Sequence, residues 1–256
     1  MPAIFLMYHE LELPGRPLAN SEPGYVRYVV TQAQFREQMQ FLKAKGYEGA
    51  SVSRALQFGA TKRVAITVDD GCETDLLVAA PCLRELGFSA TFYITAGWLG
   101  RPGYLSPGQL KELGEMFEIG CHSLTHAYLT DLDDRGLQAE TLQAKSRLEQ
   151  ALGRPIHHFS CPGGRYDARV ANAARTAGYR TVATSSVHAN SAETDPFALG
   201  RIAVQRHVAL HEFGEICSGA ALPVIQRRSS LHRAAQKLLG NNLYDAVRGL
   251  ALWGRG

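Results

Sequence analysis

Three polar clusters interrupt otherwise apolar stretches of this chain: Asp69-Asp70-Gly71, His122-Ser123-Leu124-Thr125-His126 and Pro162-Gly163-Gly164-Arg165. Two histidines four residues apart would face one ion from a single helical turn. Two imidazoles and one carboxylate are a common catalytic set for zinc, with a fourth position left to water. Adjacent aspartates at a strand end point to different sides. One can therefore bind the metal while the other takes a proton from the attacking water, whose pKa bound zinc lowers to about 7. A fourth polar point is His9, closing the run Leu6-Met7-Tyr8-His9-Glu10.

Each cluster follows an apolar run of strand length. The sequence predicts strands over 3–8, 64–68, 90–95, 117–121, 157–161 and 180–184. Between them lie helical patterns over 31–45, with Thr31 as N-cap and Gly46 as stop, and over 74–86, 133–152 and 167–177. Strands alternating with helices imply βα units and a parallel sheet. In a parallel barrel the loops after the strands gather at one mouth, so the topology alone predicts that the clusters converge. Residues 11–25, with three prolines and two glycines, read as a long loop.

The 256 residues are 45% hydrophobic and 20% charged, enough for one large core. A net charge of +3, without basic runs interleaved with aromatics, argues against nucleic acid as a partner. Five cysteines without framework spacing read as free thiols. The first residues lack the basic start and long apolar stretch of a secretory leader, and no run of about 18 apolar residues exists. A cytoplasmic location is the expectation. Residues 223–256 carry six Lys and Arg against Asp245 alone. They read as a basic helical extension, packed on the barrel or lying on an anionic membrane surface.

Val64-Ala65-Ile66-Thr67-Val68-Asp69-Asp70-Gly71 resembles the first motif of the polysaccharide deacetylases of carbohydrate esterase family 4, and His122 to His126 resembles the second. The likeness continues through 90–94, 148–153 and 159–164, and spans roughly residues 3 to 204. It implies a distorted (β/α)7 barrel over 1–222 that hydrolyses N-acetyl groups, usually on N-acetylglucosamine units. By position Asp69 matches the catalytic base, and Asp70, His122 and His126 match the ligands of one divalent ion, with zinc expected. The third motif departs from the pattern: Ser160 stands where an arginine orients the base, and Gly163 where an aromatic is usual. Arg165 or Arg201 is then the substitute. No late Leu-x-His segment is present. The opening Tyr8-His9 strand resembles a rearranged subset of the family in which such a histidine replaces the late one. The general acid is therefore expected to be His9, which Glu10 could orient, with His188 or a purely structural His9 as the alternatives. Cys72, Cys121 and Cys161 adjoin the motifs as ligands or as lining, and Trp98, Tyr104 and Tyr166 stand in loops that could meet a sugar ring. The substrate expected is an acetylated amino sugar of a polysaccharide or glycolipid precursor. The rivals are an amidase for a small cyclic amide or imide and a silent glycan-binding protein.

Overall fold

The structure, a computed structural model, describes residues 1–230. Ten short strands lie among the described residues: β1 (Ile4–Tyr8), β2 (Leu11–Glu12), β3 (Val30–Thr31), β4 (Glu48–Ala50), β5 (Arg63–Asp70), β6 (Thr91–Ile94), β7 (Glu118–Cys121), β8 (His158–Ser160), β9 (Thr181–Ala183) and β10 (Ile202–Ala203). The α-helices are α1 (Pro23–Val26), α2 (Gln32–Ala44), α3 (Val52–Ala55), α4 (Ala80–Leu86), α5 (Pro107–Met116), α6 (Asp134–Gln138), α7 (Ala144–Leu152), α8 (Ala168–Thr176) and α9 (Leu210–Ser218).

The main sheet runs β10-β1-β5-β6-β7-β8-β9, every pair parallel, with β4 beside the start of β5. Its two ends meet through one segment. Leu199 pairs with Ala183 of β9, and the chain then enters β10, which pairs with β1. The sheet is thereby rolled into a distorted parallel barrel. Register holds Asp70 opposite Ile94 and Ile94 opposite Cys121, so β5, β6 and β7 end on one rim.

Residue alternation separates two cores. Phe5, Ala65, Tyr93, Ala183 and Leu199 fill the lumen, whereas Ile4, Leu6, Tyr8, Val64, Ile66 and Val68 face the surrounding helices. Burial on both faces explains why β5 reads as a continuous apolar run. Helix starts follow local chemistry. Thr31 and Ser106 each cap their helix reciprocally with a glutamine at the third position, Gln34 and Gln109. The helical patterns at 74–86 and 133–152 each contain one π-turn, over Asp75–Ala79 and Ala139–Gln143. β2, β3, β4, β10, α1, α3, α5 and α9 had no counterpart among the expected elements, and β2 and most of α1 fall in the stretch 11–25 that reads as a loop.

No helix among the described residues is long and apolar enough to cross a membrane. Of the stretch 223–256, residues up to Ser230 continue as helix. Ile225 packs against the core and Gln226 donates to the Val187 carbonyl at 2.9 Å. The rest of that stretch lies outside the described residues.

Candidate active site

Asp69 shares the inward parity of Ala65 and Thr67, so its carboxylate enters the barrel lumen. There the Arg201 guanidinium donates to both oxygens, at 2.7 and 2.8 Å. Arg201 is itself almost wholly buried and also donates to Thr67 Oγ1, the Thr184 carbonyl and Ser160 Oγ. The Ser160 hydroxyl in turn donates a hydrogen bond to Asp69, at 3.3 Å. Of the two arginines considered, Arg201 is therefore the one beside Asp69. Arg165 pairs with Asp131 instead. Burial alone would push the Asp69 carboxyl up, but the charge and hydrogen bonds of Arg201, with the nearby His122 and His9, together hold the group well below the usual carboxylate range.

At Asp70 the backbone turns left-handed, with φ 84°, and the carboxylate swings over the rim. Asp70 Oδ1 lies 3.5 Å from His122 Nε2 and 3.4 Å from His126 Nε2. Burial pushes this carboxyl up to about 6, and Oδ1 has no hydrogen-bond partner. His122 Nδ1 stands 3.0 Å from the Ser160 carbonyl, an oxygen that can only accept. The proton is thus fixed on Nδ1, and the Nε2 lone pair points at Asp70. Burial also lowers the pKa of both histidines, His122 to about 3, which keeps them neutral. One donor atom each from Asp70, His122 and His126 lies within 4.8 Å of the others. A buried orphan oxygen and two neutral imidazoles fit a divalent ion in type and spacing.

The two histidines were expected on a helical turn, and this is corrected. They stand in a loop after β7, with Ser123 and His126 left-handed at φ 68° and 66°. Such residues cost about 1–3 kcal/mol each unless the surroundings impose them. Glu140, in the π-turn ahead of α7, does so. Its carboxylate accepts from the Leu124 and Thr125 backbone N–H groups at 2.8 and 2.9 Å, and from the Thr125 hydroxyl. Trp98 stacks on His126, with ring centroids 5.0 Å apart, and Tyr104 packs against Trp98 at 4.8 Å.

His9 leaves β1 close enough to both aspartates for its charge to act on them. Its Nδ1 is buried without a hydrogen-bond partner, and its ring packs on Tyr28 at 5.1 Å. Glu10 does not orient it. That carboxylate instead accepts from the Ala19 N–H and the Tyr25 hydroxyl, pinning the long loop after β2. His188 is not at the mouth. It packs against Gly200 with a backbone hydrogen bond at Ala198. The five cysteines are buried and free. Burial raises the Cys72, Cys121 and Cys161 thiols, the last two to about 12, so they line the barrel as neutral groups outside the ligand set.

Residues 59–182 match the family model described as polysaccharide deacetylase. The chain therefore carries a polysaccharide deacetylase domain over that stretch. It is 27% identical to the polysaccharide deacetylase-family protein YxkH of Bacillus subtilis over 82% of this chain and 74% of that one. It is 34% identical to the peptidoglycan-N-acetylglucosamine deacetylase of Bacillus cereus over 47% of this chain and 55% of that one. Among solved structures, the Streptococcus pyogenes deacetylase PplD in complex with acetate superposes with a TM-score of 0.75. Its identity is 22%, over 85% of this chain and 98% of that one, a likeness of fold.

Within this chain, the sequence pointed to Arg201 only as one of two alternatives, and it left Glu140 and Tyr28 unmarked. Arg201 stands more than 130 residues from Asp69, and only the closure of the barrel joins them. Nothing local marks Glu140, whose partners lie 15 and 16 residues upstream.

Proposed function

We propose that this hydrolase is a metal-dependent N-deacetylase acting on N-acetylglucosamine-type units of a polysaccharide or glycolipid precursor. The observation that supports it best is the divergence of the adjacent aspartates. One is paired with a buried arginine and ionised, while the other faces two neutral imidazoles with an orphan oxygen. Asp70, His122 and His126 would hold the ion, zinc by the chemistry of the set. When bound, the ion would polarise the amide carbonyl and favour deprotonation of the attacking water. Asp69 accepts that proton, because Arg201 keeps its carboxylate charged and aimed. His9, across the mouth, supplies a proton to the departing amine. The names of the relatives, one a peptidoglycan-N-acetylglucosamine deacetylase, support the choice of sugar.

The test measures zinc in the purified protein and in the His126→Ala variant, together with acetate release from N-acetylglucosamine oligomers. About one ion per chain, lost in the variant along with acetate release, is expected. A zinc-loaded wild type that binds these sugars and frees no acetate would make the chain a silent glycan-binding protein.

The same reading puts the enzyme in the cytoplasm, at a membrane surface reached through the basic stretch 223–256. Salt-sensitive co-sedimentation with anionic vesicles, lost when residues 231–256 are removed, is the expected result. No binding at any ionic strength would remove that contact.

A further inference from the structure

Gly163 stands in the loop after β8, left-handed at φ 60°. A Cβ placed there would lie 2.6 Å from Cε1 and 3.1 Å from Cδ1 of Tyr128. The room that a side chain at 163 would take is thus filled by an aromatic ring from a different loop. Tyr128 follows the His126 ligand candidate by two residues, so the ring stands at the rim of the site.

Nothing about this ring resembles a buried plug. The Arg165 guanidinium lies over it, 3.7 Å from the centroid, and is steadied by Asp131 at 3.0 Å. Gly163 backs its Cδ1–Cε1 edge. Despite this support the residue remains 42% exposed. The other large hydrophobic residues exposed among those described are Met1, Leu77, Leu142 and Val224, all aliphatic and none on a loop of the site. An aromatic fixed from two sides and still part-exposed presents an apolar body and a polar tip at little entropic cost. That combination suits a pyranose, whose C–H groups are apolar and whose rim carries hydroxyls.

We propose that Tyr128, held by Arg165 and Gly163, forms a saccharide subsite that receives the sugar unit next to the one being deacetylated. The subsite rests on the deacetylase reading for the identity of the sugar. It makes the protein a reader of chains rather than of single sugars. Arg165 is here a positioning residue acting through the ring.

Calorimetry on the full chain, with the pentamer of N-acetylglucosamine and with the monomer, tests it. Tyr128→Ala is expected to weaken pentamer binding about tenfold and monomer binding less than about twofold. Tyr128→Phe, which keeps the ring, should stay within about threefold of wild type for the pentamer, and Arg165→Ala should fall between the two. Zinc content and melting temperature of each variant report whether the rim is intact. Equal pentamer affinity in wild type and Tyr128→Ala overturns the subsite. So does an equal loss for pentamer and monomer, or a wild type that binds both alike. Acetate release is read separately. Its absence from every acetylated sugar sinks the deacetylase reading, while the affinity ratio still decides the subsite.

Discussion

Replacing Arg201 by methionine keeps much of the side chain's bulk and removes its charge. Five hydrogen bonds go with it, two of them to Asp69. Removing one partner of a buried ion pair costs about 3–5 kcal/mol, because the other charge is left uncompensated. At about 2–4 °C per kcal/mol for a chain of this size, the melting temperature should fall by roughly 6–20 °C. Asp69 then escapes much of the penalty by binding a proton, since burial, the largest influence on its carboxyl, loses its main opponent. A protonated Asp69 cannot act as base. Arg201→Met should therefore lose at least about a hundredfold in kcat/KM at neutral pH, with part regained as pH rises. The ligand set is untouched, so about one zinc per chain should stay. Arg201→Met/Asp69→Asn removes the stranded carboxylate and should melt above Arg201→Met alone, a coupling that a double-mutant cycle reads. A variant with wild-type kcat/KM and an unshifted pH profile would refute the assignment of Arg201 to the base.

Three further outcomes follow from buried carboxylates away from that pair. Glu140→Ala removes the acceptor that imposes the left-handed turns at Ser123 and His126. Its zinc affinity, by competition with a chelator, should drop about 10–100-fold, and an unchanged affinity would show the loop to be self-supporting. Glu118 is held down to about 2: burial alone would raise it, but His158, Ser53 and Thr91 prevail. An unfolded glutamate binds protons near pH 4.3, so this carboxylate stabilises the fold above that pH and the gain is lost as pH falls toward 2. The gain is at most about 3 kcal/mol. Glu118→Gln should flatten that acid limb in chemical denaturation, and a limb as steep as wild type would contradict it. Asp75 has the opposite sign. Both its oxygens are buried without hydrogen-bond partners, and burial holds the folded carboxyl well above its usual value. The unfolded group releases its proton near pH 4, so wild-type stability falls as pH rises beyond that. Asp75→Asn should gain on wild type steadily between pH 4 and 8, and a constant difference would refute it.

The parallel core was legible because burial on both faces leaves an apolar run, as in Val64 to Val68. The placement of each cluster after such a run already implied one mouth. β4 and β10 were not legible, since Glu48-Gly49-Ala50 and Ile202-Ala203 are too short to carry a period. α5 did leave a readable mark in Ser106, Pro107 and Gln109. Four-residue spacing suggested a helix for His122 and His126, but the backbone instead turns left-handed at two non-glycine residues. Composition does not announce that, because the Glu140 carboxylate imposing it comes from another element. The two residues that the third motif lacks met different fates. The guanidinium arrives from Arg201, which the sequence offered beside Arg165, and the ring at Gly163 from Tyr128, which only packing identifies.

The segment that seals the barrel also delivers Arg201, and this sets how small a working unit can be. The family match ends at Thr181-Val182. A fragment cut to it would keep Asp69, Asp70, His122 and His126, the residues of the two motifs by which such a domain is recognised. It would lack the guanidinium, and with β1 also gone it would lack His9. Such a fragment could still bring Asp70, His122 and His126 together, yet it would leave Asp69 without its paired arginine and the mouth without His9. The recognisable stretch and the stretch that assembles this mouth therefore have different borders in this chain, and the second runs from β1 through Arg201.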